Sequence, residues 1–360
     1  MSILSAEIQI DCEDFSENLK FFTEDAGFSI ELIFPADSPR SAILSGYGLR
    51  IRLEKSKNDR PILINLIQDK PIPSNDSVKI APNGSQITFV NDELECEENI
   101  EMPSLINTVV IKKLKESGDW EDGRAGMQYR DLVPNRLGGR FIASNIRIEK
   151  GGPVPDYVHY HHISFQMIYC YKGWVKAVYE DQGDAFIMHE GDCVLQPPHI
   201  RHQVLECSDH FEVIEVGSPA EHKTLVDHDM SLPTPDTKPD RVFGGQKFIL
   251  HKKNDPKNAP LSTRKDGFQV RDTMISEATN GEASVVALTL SSKLPEIKHT
   301  HESDVLFLFI LWGEIKIQIE GKLTSLDQGD SISIPRNTEY RWQEPSNDLE
   351  ILEICLPAQR

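Results

Sequence analysis

Beyond about residue 126 the chain carries apolar positions in short runs, some alternating with polar residues and some unbroken. "FIASNIRI", "WVKAVYE", "FEVIEV" and "IKIQIE" alternate, while "SFQMIYCY" and "VLFLFIL" are nearly continuous, and Gly, Pro and Asp separate them. Period-two alternation between turn residues predicts antiparallel strands folded into a sandwich or barrel. The first 95 residues read differently. A strand over "AEIQIDC" precedes "DFSENLKFFTEDAG", which has an Asp or Ser cap, helical apolar spacing and a terminal Gly. "FSIELIF", "SAILSG" and "LRIRLEK" follow as strands, so the order is β-α-β-β-β. The predicted fold class is mainly β, with a small α+β domain at the N-terminus.

The chain also repeats itself. "GMQYRD" at 126–131 returns as "GFQVRD" at 267–272, and "HYH" at 159–161 as "HTH" at 299–301. "YKGWVKAVYE" returns as "LWGEIKIQIE", and "EGDCVLQPPHIRH" as "QGDSISIPRNTEY". Ordered matches at a nearly constant offset of 140 to 141 indicate a duplicated domain. The expected organisation is 1–95 as the β-α-β-β-β module, 96–217 as the first copy with its lead-in, 218–262 as a Pro-, Asp- and Lys-rich connection, and 263–360 as the second copy. The acidic stretch "NDELECEENIE" at 91–101 reads as a solvated link.

Composition narrows the function classes. With 39% hydrophobic and 26% charged residues, the 360-residue chain can bury a sizeable core. A net charge of −19 argues against nucleic acid and anionic membrane surfaces as partners. No apolar run approaches a bilayer span, and "MSILSAEIQID" lacks the basic start and apolar core of a secretory signal. The cysteines at 12, 96, 170, 193, 207 and 355 form no CxxC pair and read as reduced, buried thiols. The expected location is the cytoplasm.

In "VHYHHISFQ" at 158–166, strand alternation sends His159 and His161 to one face and His162 to the other. The ordered motifs resemble the cupin superfamily, whose first motif runs H-x-H…E…G and whose second runs G…P-x-G-x-x-H. His159, His161, Gln166 and Gly173, then Gly191, Pro197 and His202, fill these slots in the first copy. In the second copy they hold His299, His301, Leu306, Gly313, Gly329, Pro335 and Tyr340. The resemblance spans both repeats and implies a bicupin, two tandem jelly-roll β-barrels. His199 and Asn337 replace the second motif's internal Gly, where the turn calls for a positive φ that Asn and His tolerate. The N-terminal segment more distantly resembles one module of the vicinal-oxygen-chelate (glyoxalase-like) superfamily, with Glu7 and Glu54 near that family's ligand slots; read from the residues, it is a structural or dimerising domain.

The cupin resemblance implies a metal site at His159, His161, His202 and Gln166, open on one side. Three imidazoles suit a divalent transition metal; Fe(II) is placed first, with Zn, Mn and Ni as alternatives. Gln166 stands in the usual carboxylate slot, where it can ligate, hold a water or orient an imidazole. Tyr157 and His199 are the candidate acid/base residues, and Arg140 and Gln196 the candidate substrate contacts. His299, His301 and Tyr340 make at most a weak second site, so the second barrel is expected to be degenerate. The resemblance leaves several functions open: a dioxygenase-like oxidoreductase on a small anionic or chelating substrate, a non-oxidative isomerase or lyase, or a non-enzymatic small-molecule binder. A homodimer is expected by analogy.

Overall fold

The computed structural model describes residues 3, 5–68, 78–92, 100–116, 120–255, 261–264 and 266–358. The chain forms two compact units, residues 1–96 and 97–360.

In the first unit, strand Ile8–Cys12, helix Phe15–Lys20 and strands Ser29–Phe34, Ser41–Gly46 and Leu49–Lys55 follow in the predicted order. The Asp14 side chain caps the helix by accepting from the Glu17 amide. The helix is short because it widens into a π-helical turn over Phe21–Asp25, which keeps Phe21 and Phe22 against the sheet. Strand Ile8–Cys12 pairs in parallel with Leu49–Lys55, and Ser41–Gly46 and Ser29–Phe34 complete the sheet. A second sheet of Leu63–Gln68, Gln86–Asn91 and Val78–Ile80 was not expected from the sequence. Glu7 and Glu54 are both engaged by Arg52, at 2.5 and 3.6 Å. Much of the acidic run 91–101 lies outside the described residues.

The second unit holds two jelly-roll barrels, each built of two facing sheets. In the first barrel, Ile249–His251, Cys193–Leu195, Phe165–Lys172, Phe211–Ser218, Ile142–Ile148 and Gln128–Asp131 line up in one sheet. Phe186–His189, Trp174–Tyr179, His202–Cys207, His159–His162 and Lys223–Val226 form the other. The second barrel repeats the plan with Phe268–Asp272, Ser284–Leu290, Glu350–Leu356, Val305–Trp312 and Ser331–Pro335 facing Lys322–Asp327, Glu314–Ile319 and Tyr340–Gln343.

The nearly continuous apolar runs are the strands buried on both faces. Phe165, Met167, Tyr169 and Tyr171 point into a core shared by the two barrels, while Ile168 and Cys170 point into the first barrel. Phe307 and Phe309 meet Phe141 and Tyr171 across that shared core, at 5.6 and 5.1 Å between ring centres. Inside the second barrel, Leu306, Leu308, Ile315, Ile317, Ile334 and Trp342 pack together.

Two segments differ from their sequence assignments. Residues 218–262, expected as a connection, supply Lys223–Val226 to one sheet of the first barrel and Ile249–His251 to the other; residues 256–260 lie outside the described residues. Val110–Lys112, expected in the first copy's lead-in, pairs with Ser331–Pro335 of the second barrel. All three strands sit at sheet edges, where pairing is set by the partner's free backbone groups, so local sequence carries little sign of it.

Candidate metal centre

Strand pairing brings the three histidines together. His159 lies opposite His202 across an antiparallel pair, and His161 follows two positions on, on the same face. The ring centres are 4.2 Å apart for His159 and His202, 5.2 Å for His159 and His161, and 5.3 Å for His161 and His202. One nitrogen from each ring lies within 4.8 Å of the other two. Among the described residues, this is the only such group of three potential ligands.

The outer nitrogens are anchored. His159 Nδ1 donates to the Tyr157 carbonyl at 2.8 Å, and His202 Nδ1 to the Ile200 carbonyl at 3.1 Å. A carbonyl only accepts, so these contacts put the proton on Nδ1 and leave the Nε2 lone pair facing inward. His161 Nδ1 is held by the Thr224 hydroxyl at 2.9 Å. Burial lowers the pKa of His159, and lowers those of His161 and His202 well below the ordinary imidazole value. Neutral rings with converging nitrogens, two of them with the tautomer fixed by a carbonyl, are what a divalent transition metal takes as ligands.

Two of the three inward nitrogens meet N–H donors. Arg124 Nη2 lies 2.7 Å from His159 Nε2, and Asp156 Oδ1 accepts from Arg124 Nη1 at 2.5 Å. Gln196 Nε2 lies 3.3 Å from His202 Nε2. The Gln196 amide also donates to Gln166 Oε1 at 3.2 Å and accepts from the Tyr179 hydroxyl at 2.5 Å. Gln166 Nε2 in turn donates to Glu215 at 3.2 Å. Both ends of the Gln166 amide are therefore engaged away from the imidazoles.

These groups border a cavity of about 430 Å³ inside the first barrel. His161, His202, Gln166, Gln196 and Arg124 line it, and its walls are largely apolar, with Met127, Ile168, Val175, Met188, Val194 and Val213 among them. Glu215 is the one carboxylate among the described lining residues. It is half-buried, and desolvation raises its pKa despite the Gln166 hydrogen bond.

The other expected site residues sit elsewhere. Tyr157 is 42% exposed, its ring 6.1 Å from His159 and outside the cavity lining. His199 stacks on His162 at 5.1 Å on the opposite face of the histidine strand. Arg140 bonds the Pro103 carbonyl at 3.2 Å and lies 3.8 Å from Asp304, so it belongs to the contact between the barrels. The arginine at the site is Arg124, which opens the short 3₁₀ turn Arg124–Gly126 and recurs as Arg264 at the repeat offset. Glu215 did carry a signal: "FEVIEV" at 211–216 recurs as "LEILEI" at 349–354.

In the second barrel, His301 Nε2 bonds the Ile334 carbonyl at 3.0 Å, so that ring is turned to the backbone. His299 stacks on Tyr340 at 5.2 Å. Burial, followed by the charge of Glu353, pushes the Tyr340 phenol well above its usual pKa and keeps it neutral.

Comparison with known proteins agrees with this architecture. Residues 292–355 match the family described as Cupin domain. Among solved structures, a single-substitution variant of the Bacillus subtilis oxalate decarboxylase superposes with a TM-score of 0.50 at 11% identity, covering 73% of this chain and 80% of that one. Oxalate decarboxylase from Bacillus subtilis at pH 4.6 gives 0.49 at 14% identity, over 73% of this chain and 78% of that one. No curated protein matches the sequence.

Proposed function

Because the chain is a bicupin of the cupin superfamily, we propose that its first barrel is a metal-dependent enzyme site of dioxygenase type, acting on a small anionic or chelating substrate. His159, His161 and His202 would hold the cation, Fe(II) in the first instance, with Mn, Ni or Zn as the alternatives. The observation that carries this reading is the convergence of three anchored imidazoles, two of which, His161 and His202, line a cavity of about 430 Å³. A cation there supplies Lewis acidity and, if redox-active, access to O₂. The protein's residues do the rest. The apolar wall favours a substrate with an apolar body over a bare dianion. Arg124 is the cationic group that an entering carboxylate meets, and Asp156 fixes its fork. The Tyr179–Gln196–Gln166 chain holds the amides in one orientation.

A second reading is non-oxidative chemistry of isomerase or lyase type. It is favoured by the presence of Glu215 and Tyr179, a carboxyl group and a phenol, in the cavity wall. The superposed Bacillus subtilis protein is itself named a decarboxylase. The assembly we propose is a homodimer, checked by sedimentation velocity.

Elemental analysis of anaerobically purified protein tests the centre. We expect near-stoichiometric divalent metal in the native chain and a large loss in His161→Ala. Substrate-dependent O₂ uptake across phenolic acids, diketones and thiols supports the oxidative reading. Turnover that persists without O₂ in the Mn(II) or Zn(II) form supports the second.

A further inference from the structure

The first barrel keeps an acid in its cavity wall although its metal motif has lost one. Gln166 occupies the motif slot, and its amide donates to Glu215, which stands on the adjacent strand Phe211–Ser218. On that strand Phe211, Val213 and Glu215 face the cavity, while Ile214 and Val216 face the shared core. The carboxylate has thus moved sideways by one strand from the slot.

The duplicated barrel shows what such an acid requires. Glu353 sits at the equivalent place, pairing with Leu308 as Glu215 pairs with Ile168. There the carboxylate is neutralised from within: Arg264 Nη1 lies 2.6 Å away, and Asp266 holds the same guanidinium. A carboxylate enclosed by protein is costly to keep ionised without a cation beside it. In the first barrel the corresponding arginine, Arg124, goes instead to Asp156 and His159. Among the described residues Glu215 makes no ion pair: its side-chain hydrogen bond comes from the neutral Gln166 amide, and Arg124 acts on it only as a more distant charge. The three-imidazole group occurs in the first barrel, and the second has none among its described residues.

Resting on the metal reading above, we propose that Glu215 is the anionic partner of the cation held by His159, His161 and His202, replacing the acid absent at Gln166. Glu215 lies outside the cluster of ligand atoms, so its role is charge compensation from behind Gln166. Gln166 orients it: with Oε1 accepting from Gln196, the amide N–H₂ is directed at the carboxylate.

Titration of the metal-stripped full chain with Mn(II) or Co(II), followed calorimetrically at neutral pH, tests this. Glu215→Gln preserves shape and is expected to weaken affinity at least tenfold. Glu353→Gln, the matched change in the other barrel, is expected to leave affinity unaltered. The exchange Gln166→Glu with Glu215→Gln returns the charge to the motif slot and is expected to recover most of the loss. Should Glu215→Gln fail to fold by circular dichroism, the exchange variant and Glu215→Asp carry the test, since both retain one carboxylate and should bind within a few-fold of the native chain. Native binding matched by Glu215→Gln overturns the inference alone. A native chain that binds neither ion overturns the metal reading, and the inference with it.

Discussion

His199 and Asn337 occupy the same turn in the two barrels with φ of 64° and 61°. Each turn closes on its histidine strand, the His199 amide donating to the His161 carbonyl at 3.1 Å and the Asn337 amide to the His301 carbonyl at 2.9 Å. A left-handed residue with a Cβ costs roughly 1–2 kcal/mol unless it is Gly, Asn or Asp. His199→Gly should therefore melt at or above the native temperature, while His199→Val should melt lower, by roughly 1 kcal/mol or more of stability. Neither should change metal stoichiometry, because His199 faces away from the cavity. At this scale the sequence was informative: alternation put His159 and His161 on one face and His162 on the other. Alternation could equally have marked Glu215 as inward, but an isolated glutamate in an apolar strand says nothing about its neighbours until the strand pairing is known.

The strands Phe165–Lys172 and Val305–Trp312 show how one element serves two cores. Nearly every residue of each is buried, because one face closes its own barrel and the other closes the joint between barrels. Phe307 is fully buried in that joint, against Phe141. Phe307→Ala should cost about 3–5 kcal/mol. It should lower the melting temperature of the second unit while leaving the three-imidazole geometry intact, so metal stoichiometry measured below the transition should hold. The elements were largely legible from their periods, whereas the edge strands Val110–Lys112, Lys223–Val226 and Ile249–His251 were not. Their places depend on which backbone donors the two sheets leave open, and that is a property of the assembled barrels.

On the scale of the whole molecule, buried or half-buried imidazoles recur in both barrels. His159, His161, His202, His251, His299 and His301 all have pKa values lowered first by burial, from an ordinary value near 6.5. The unfolded chain protonates these rings at about 6.5 and the folded chain only at lower pH, so the unfolded state binds more protons below that point. The metal-free protein should therefore have its full melting temperature above pH 6.5 and lose stability progressively as pH falls beneath it. Thermal melts across pH 7.5 to about 5 check the sign; a melting temperature that rises on acidification would contradict it.

The sequence by itself determined the duplicated β architecture, the β-α-β-β-β order of the first unit and the shared face of His159 and His161, while the cupin resemblance added His202 to them. These follow from periodicity and motif spacing, which are local or repeat at a fixed offset. The cavity and its chemistry were decided by tertiary structure. Equivalent strands leave a 430 Å³ cavity in the first barrel and pack Leu306, Leu308 and Trp342 in the second. Likewise, whether an arginine meets a glutamate, as Arg264 meets Glu353, or an imidazole, as Arg124 meets His159, is settled only by where long side chains end in space. No linear pattern records that choice.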